Sequence, residues 1–539
     1  MPHFRFSPIT ASLLVTAFLL QSGCRTEPEP AARFEPNLVH AMKYEIKEGV
    51  PTDQASKDVT WVITEMFGTP DDPKLPELIT ADDDLAELLD TDRLHKASGP
   101  FADGRGLYRK HCADCHGVTG NGRGKTAAIL NPYPRDYRMG VFKFKSTKRS
   151  AKPTRDDLMR LIANGIAGTA MKKIPELSDE DVLALTEYVI YLSIRGELER
   201  SLIDDAVLEL DLEAGDRVFD YQLSTWIKKT AADRNRNGKN PEDHQHAEYE
   251  IDQLKIDGEA IDEDLLEDFR EFKETANLLT ANQTLIKELD DMKKLVSAYM
   301  QMARPLAASD ESDDDDEEEE PPTFADNAEK LIEDYEMCEE SWEIAEVYLA
   351  EIAEAWLLAD DDVMEVPEPP SEIPLPKSHA EFVQMSEGDQ AESLAESVRR
   401  GQSLFVGKIA SCSKCHGEKG LGNGTTNDYD DWTKDWVVRA GLKPEDRESL
   451  IPLMARGALP PVNAAPRNFA EGIFRGGEKP EDLYRRIMGG IAGSPMPAAT
   501  FVEGQFEQDD VWHIINFIRS LKAVPTEPTK PAKAATPQT

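Results

Sequence analysis

The sequence predicts a mostly α-helical chain in which two compact helical units are separated by a long acidic helical segment. Three observations carry that prediction. Four sequence blocks recur in the same order. LYRKHCADCHGVTGNGRG (107–124) is answered by LFVGKIASCSKCHGEKGLGNG (404–424), and PRDYRMGVF (134–142) by PRNFAEGIF (466–474). KPTRDDLMRLIANGIAGTAM, ending at Met171, is answered by KPEDLYRRIMGGIAGSPM, ending at Met496, and DVLALTEYVIYL (181–192) by DVWHIINFIRSL (510–521). Between the repeats, Leu265, Phe269, Phe272, Leu279, Ile286, Leu289, Met292 and Val296 recur at helical spacing, which marks one apolar face of long helices. Residues 309–320 (SDESDDDDEEEE) have no apolar area to bury and are expected to be disordered.

The chain has 539 residues, enough for about three domains. Residues 101–196 form the first repeated unit and 395–523 the second. Residues 197–394 read as an acidic, largely helical insert, with Glu340 to Leu358 helical and the Pro-rich residues 366–376 a linker. The tail 524–539 reads as loose. At the N-terminus, Ile9 to Leu20 is an apolar run too short to span a bilayer comfortably, and Gln21-Ser22-Gly23-Cys24 follows it. This resembles a bacterial lipoprotein signal, with residues 1–24 as signal peptide and Cys24 as the lipidated residue. Residues 25–100 read as a tether and an N-terminal extension, with a helix around Val59 to Phe67, that packs on the first unit. Export places the protein in the periplasm or cell envelope, held to the membrane by its lipid.

The cysteine spacing carries the chemistry. CADCH (Cys112 to His116) and CSKCH (Cys412 to His416) are haem-attachment motifs. Cys112 and Cys115, and likewise Cys412 and Cys415, add their thiols across the porphyrin vinyl groups, which predicts two covalently bound haem c. His116 and His416 then stand under the irons as proximal ligands. A zinc site would need two further ligands near each pair, and the sequence offers none at matching spacing. Met171 and Met496 close equivalent GIAG-containing blocks, so they are the candidate sixth ligands; a thioether favours ferrous iron and raises the potential. Met159 and Met488 sit at non-matching positions, His513 aligns with Ala184, and His95 and His111 have no counterparts. Arg135 and Arg467 are repeat-matched, and an arginine fork suits a haem propionate. Pro132, Pro134 or Pro466 could offer a carbonyl to the free nitrogen of the proximal histidine. Cys338 reads as a small buried hydrophobe.

With these motifs, residues 101–196 and 395–523 resemble class I cytochromes c, so the fold class becomes mostly α with two class I cytochrome c domains. The resemblance implies a small helical fold around one haem in each domain. Its N-terminal helix carries a glycine and an aromatic residue, here Gly104 with Tyr108 and Gly401 with Phe405. That helix crosses a C-terminal helix carrying Tyr188 or Phe517. The wider layout, including MFGTPDDPKLP at 66–76, is similar to lipoprotein dihaem cytochromes of planctomycete-type bacteria, from which the long acidic middle departs.

The 103 acidic against 61 basic residues give a net charge of -42, which argues against nucleic-acid binding. Residues 105–155 are the exception, with thirteen Lys or Arg and two acidic residues. This basic stretch is expected to dock an acidic redox partner, to be covered by the acidic run, or to be a solvated face. The expected role is single-electron transfer in a respiratory chain, between a quinol-oxidising complex and a terminal oxidase or other acceptor, without enzymatic turnover. The alternatives are a dihaem peroxidase, which needs an open iron and a distal acid/base, and a fixed cytochrome subunit of a respiratory complex.

Overall fold

The structure, a computed structural model, describes residues 32–102, 104–218, 342–425 and 428–522. Cys24 and the signal peptide, the periodic stretch 265–296, the acidic run 309–320, Cys338 and the tail 524–539 lie outside these residues. The described part is helical, with isolated bridges in place of strands. None of its helices is long and apolar enough to cross a membrane.

The N-terminal extension comes first; its longer helices are α1 (Leu38–Glu48), α2 (Asp53–Phe67) and α3 (Thr91–Ala97), with the short helical turns Glu77–Ala81 and Asp83–Ala86 between α2 and α3. The first repeated unit follows with α4 (Leu107–His111), α5 (Ala113–His116), α6 (Arg155–Asn164) and α7 (Asp179–Glu209). After α8 (342–357) come α9 (His379–Glu387), α10 (Ala391–Val406), α11 (Ser413–His416), α12 (Asp431–Arg439), α13 (Pro480–Gly489) and α14 (Asp510–Ser520).

The pillar of the first unit is α7. Ser178 caps it and exchanges hydrogen bonds with Asp181 in a capping box, and Asp179, Glu180 and Asp181 place negative charge at the positive end of the helix dipole. It then runs 31 residues without a break, so the boundary expected at residue 196 falls inside a continuous helix. Its faces are buried against α2, α3 and α6 and, beyond residue 196, against Leu349, Ala353 and Trp356 of α8. The segment 342–357 therefore belongs to the core of the first unit rather than to a separate insert. The Pro-rich stretch 366–376 is likewise packed: Ile373 is buried in the second core, and the Pro374 carbonyl accepts a hydrogen bond from Asn516 Nδ2 at 2.7 Å.

The extension packs on the first unit as expected. Tyr188 donates to the Pro70 carbonyl and Tyr191 to the Phe67 carbonyl, while Asp71 binds Arg109 at 2.5 Å. Buried carboxylates fasten the same seam. Glu187 on α7 takes Arg93 Nη1 at 3.0 Å, Arg155 Nη1 at 2.6 Å and the Asp90 amide at 2.9 Å. Each bond to a charged group contributes about 1.5–3 kcal/mol, and removing the carboxylate would leave Arg93 with Glu180 and Arg155 with the Glu87 and Leu88 carbonyls as their remaining partners.

The helix crossing expected from the class I resemblance holds in the second unit. Gly401 on α10 lies against the His513 backbone on α14, and the Phe405 and Phe517 rings sit 5.1 Å apart. In the first unit the equivalent ring pair, Tyr108 and Tyr188, also sits at 5.1 Å. The glycine does not follow. Gly104 lies outside any helix with no heavy atom within 4 Å of where a Cβ would stand, because α4 starts only at Leu107. The extension explains this: α3 and α2 occupy the face of α7 that a longer N-terminal helix would cover.

Where α1 meets α7, three donors converge on Asp204 Oδ1: His40 Nε2 at 2.6 Å, Lys43 Nζ at 2.8 Å and Tyr44 OH at 2.5 Å. Arg200 Nε donates to His40 Nδ1 at 3.2 Å, which fixes the neutral tautomer with its proton on Nε2. Burial lowers the His40 pKa to about 4. Below its unfolded value near 6.5 the unfolded chain binds the proton first, so stability falls as pH drops from 6.5 to about 4, by up to about 3 kcal/mol. Asp204 is held below the usual carboxylate range, and its contribution is lost only at more acid pH. Urea unfolding of the holoprotein at pH 7 and pH 5 is expected to show the loss for the native chain and to lose most of it for His40→Gln; equal pH dependence in both would sink this assignment.

Candidate haem sites

Each attachment motif occupies one tight turn. Cys112 and Cys412 cap the short helices α5 and α11, and the amides of His116 and His416 bond the carbonyls of Cys112 and Cys412 at 2.9 and 3.0 Å. One helical turn puts both thiols and the imidazole on one side of the backbone, which is why the chemistry needs this spacing. These four cysteines form no disulfide with one another, and burial pushes Cys112 up to about 12 and Cys412 up to about 11.

The two imidazoles are held alike. His116 Nδ1 donates to the Arg135 carbonyl at 3.0 Å and His416 Nδ1 to the Arg467 carbonyl at 3.3 Å. The acceptor is thus the carbonyl of the repeat-matched arginine, not that of a proline. Pro134 and Pro466 stand one residue earlier and set the backbone direction into it. With Nδ1 donating, Nε2 keeps its lone pair, the form that ligates iron. Burial lowers the pKa of both histidines, His116 to about 4, so both are neutral. Each ring is also stacked: Tyr137 on His116 at 4.8 Å, and Phe469 on His416 at 4.7 Å. These aromatics lay in the repeated block PRDY/PRNF, yet spacing alone does not separate an imidazole support from core filling.

The methionine loops also superpose bond for bond. The Ile166 amide reaches the Met171 carbonyl at 2.8 Å, and the Ile491 amide reaches the Met496 carbonyl at 3.1 Å. Thr169 and Ser494 hydroxyls brace the two turns, accepting from the Met171 and Met496 amides at 3.1 and 3.4 Å. Met171 and Met496 are half-buried at the ends of these loops. Met488 packs on the second core, and His513 Nδ1 is engaged by Ser397 Oγ at 2.8 Å.

The two units meet through these loops, and the contacts are reciprocal. A Cβ on Gly168 would lie 2.9 Å from Ile473 Cγ2 and 3.9 Å from the Arg467 guanidinium. A Cβ on its equivalent, Gly493, would lie 3.3 Å from Val141 Cγ1 and 3.3 Å from Arg135 Nη1. Phe144 presses on its own counterpart, Gly476. Equivalent residues touching in both directions describe a local two-fold interface built from one chain.

Part of the basic stretch of the first unit is engaged inside the protein. Across the seam, Lys143 pairs with Asp430, and Arg149 gives Nη1 to the Met496 carbonyl at 2.7 Å and Nη2 to the Ser494 carbonyl at 3.1 Å. Within the first unit, Lys152 pairs with Glu197 and Arg155 with Glu187, and Lys145 donates to the carbonyls of Arg149 and Ala151. Lys148 pairs with Asp362 at 2.7 Å and stays largely exposed.

The donor sets fit a haem in each unit: two thiols, a neutral imidazole with free Nε2 and a thioether loop. Arg135 is half-buried, and desolvation lowers its pKa against the opposing pull of Asp430 and Asp136. In the second unit, Nε of Arg467 and Nε of Arg475 are buried without a hydrogen-bond partner among the described residues. A haem carboxylate is an acceptor such donors call for.

Residues 101–193 and 398–522 match the family model of cytochrome c, and the chain carries two cytochrome c domains. These domains imply covalent haem c and haem-based electron transfer. No curated protein matches the chain. Among solved structures, a chain of the Kuenenia stuttgartiensis reducing HAO-like protein complex is similar over 77% of this chain and 94% of its own, at 15% identity and a TM-score of 0.32.

Proposed function

We propose that the protein is a two-centre electron carrier, in which two haem-binding domains meet at the local two-fold seam and pass single electrons between redox proteins of a respiratory chain. The observation that carries this reading is the reciprocal packing of the two methionine loops, each against the arginine and the Val141/Ile473 side chain of the other domain. When bound, haem c supplies a ferric/ferrous couple; one electron moves and no substrate bond is made or broken.

The chain's residues do the rest. Cys112 and Cys115, and Cys412 and Cys415, would hold the group by thioether bonds. His116 and His416 would ligate it through Nε2, each with its Nδ1 hydrogen-bonded to a backbone carbonyl, which fixes the ring and raises its basicity. Met171 and Met496 would supply a soft sulfur as the second iron ligand, and Arg135 and Arg467 would pair with its carboxylates. Export with a lipid on Cys24 in the cell envelope belongs to this reading; the apolar run Ile9 to Leu20 and the position of Cys24 support it.

The test is the visible spectrum of the full-length, detergent-extracted protein, oxidised and reduced, with and without carbon monoxide, together with its haem content and intact mass. Two haems per chain, a thioether charge-transfer band on oxidation, no carbon monoxide response and a diacylated Cys24 are the expected results. A centre that binds carbon monoxide and turns over peroxide would replace the carrier with an enzyme. Stable co-purification with a membrane complex would make it a fixed subunit.

A further inference from the structure

Beside the His116 support of the first domain, α1, the loop after the first attachment motif, α7 and the 428–465 segment of the second domain line a cavity of about 60 Å³. Three arginines line it: Arg123 from the GNGRG loop, Arg138 from beside the His116 support and Arg200 from α7. Their charges are not balanced alike. Arg138 is neutralised by Asp136, with Nε–Oδ1 at 2.9 Å and Nη2–Oδ2 at 2.7 Å. The other carboxylate in the wall, Asp435, is held by Arg439 at 2.9 Å. Asp204, behind the wall, is taken by Lys43 and by neutral His40.

Arg123 and Arg200 are left over. Arg200 Nε donates to the uncharged His40 ring and has no carboxylate within ion-pair distance among the described residues. The Arg123 guanidinium has no hydrogen-bond or ion-pair partner among the described residues and lies against Gly457, whose missing side chain makes room for it. Glu35 acts on Arg123 only at longer range and is exposed to solvent. Burial, with repulsion from Arg138, lowers the Arg123 pKa to about 10 against the longer-range pull of Asp136 and Glu35. The cavity also offers the Thr433 and Asn37 side chains as neutral polar groups.

We propose that this cavity is a binding site for a small inorganic dianion of the sulfate or hydrogen-phosphate type, held between Arg123 and Arg200. Two uncompensated guanidinium forks facing one small cavity call for two negative charges on a compact, multiply accepting group. The site joins elements from residues 37, 123, 200 and 433, so the bound anion ties the N-terminal extension and both cytochrome domains together. It stabilises the assembled chain by mass action.

The experiment is calorimetric titration of the full-length holoprotein with sodium sulfate and, separately, sodium phosphate at constant ionic strength set with chloride. Thermal unfolding is followed in parallel. One saturable site per chain is expected, with a matching rise in Tm that chloride does not reproduce. Arg123→Gln and Arg200→Gln should each weaken binding roughly ten- to hundred-fold, the loss of one charge-assisted contact. The gentler Arg123→Lys should keep part of it, and unchanged haem spectra certify that each variant is folded. A Tm rise of equal size in native and Arg123→Gln protein would be general salt exclusion, and would overturn the site, as would a flat titration. Preference for phosphate over sulfate, or the reverse, identifies which dianion the cavity suits.

Discussion

Replacing Met496 with alanine is expected to open one of the two centres and leave the other closed. The Met496 loop is built from Gly490 to Met496 and is held by the Ile491 amide, by Ser494 and by two bonds from Arg149. Removing the thioether leaves His416 in place, since its carbonyl partner Arg467 and its stacking partner Phe469 come from a different segment. About half of the haem should then turn high-spin, bind carbon monoxide and titrate at a lower potential, because a soft axial sulfur no longer favours the ferrous state. Met171→Ala should do the same to the other half. Arg149→Gln is the graded companion. It keeps the ligand but frees the loop, so it should shift the second centre's potential and weaken its thioether band without touching the first. A fully low-spin Met496→Ala protein that ignores carbon monoxide would remove Met496 from the ligand set and bring Met488 into question.

Gly401→Ala is expected to be the most destabilising single methyl group in the second domain. A Cβ at 401 would overlap the His513 carbonyl oxygen and lie 2.9 Å from Phe517 Cβ. Two of these obstacles are rigid: a backbone carbonyl in the middle of α14, and a side-chain root. The helices must therefore move apart along their whole contact, loosening Phe405 from Phe517 and from the His416 ring 6.2 Å away. Overpacking of this kind costs about 1–3 kcal/mol where neighbours can shift, and more where backbone is the obstacle. The measurement is thermal unfolding of the holoprotein by far-ultraviolet circular dichroism, alongside haem content. Loss of the second haem with the first retained is the expected outcome. Gly104→Ala is the control, because nothing lies near that position and it stands outside any helix; its φ of 83° still imposes a modest backbone cost. Equal damage from the two substitutions would contradict the difference between the two crossings.

The reason the first domain can do without its crossing glycine lies in the extension. Sequence comparison of the two repeats put Gly104 opposite Gly401, and register alone gave no cause to treat them differently. The structure spends the same face of α7 on α2 and α3, with Tyr188 and Tyr191 anchored to the Pro70 and Phe67 carbonyls of the MFGTPDDPKLP stretch. The family-like motif at 66–76 is therefore part of the wall of the first haem domain.

What the sequence determined by itself is whatever is local or doubled. The attachment chemistry is confined to five consecutive residues on one helical turn, so CADCH and CSKCH were readable without any fold. The duplication then singled out Met171 with Met496, Arg135 with Arg467, and Tyr108 with Phe405, because each survives in both copies. What only the tertiary structure decided depends on residues far apart in the chain. Lys143 meets Asp430 across 287 positions and Arg149 meets Met496 across 347, so two members of the basic cluster serve the seam between the domains. The carbonyl that orients each histidine belongs to an arginine rather than to its neighbouring proline, a matter of one residue's backbone direction. The linker at 366–376 and the segment 342–357 proved to be core, since their apolar residues find partners on α14 and α7 that periodicity cannot name. Charge runs, registers and linkers acquire their meaning from what they face, and that is fixed by the burial of long-range neighbours, not by local spacing.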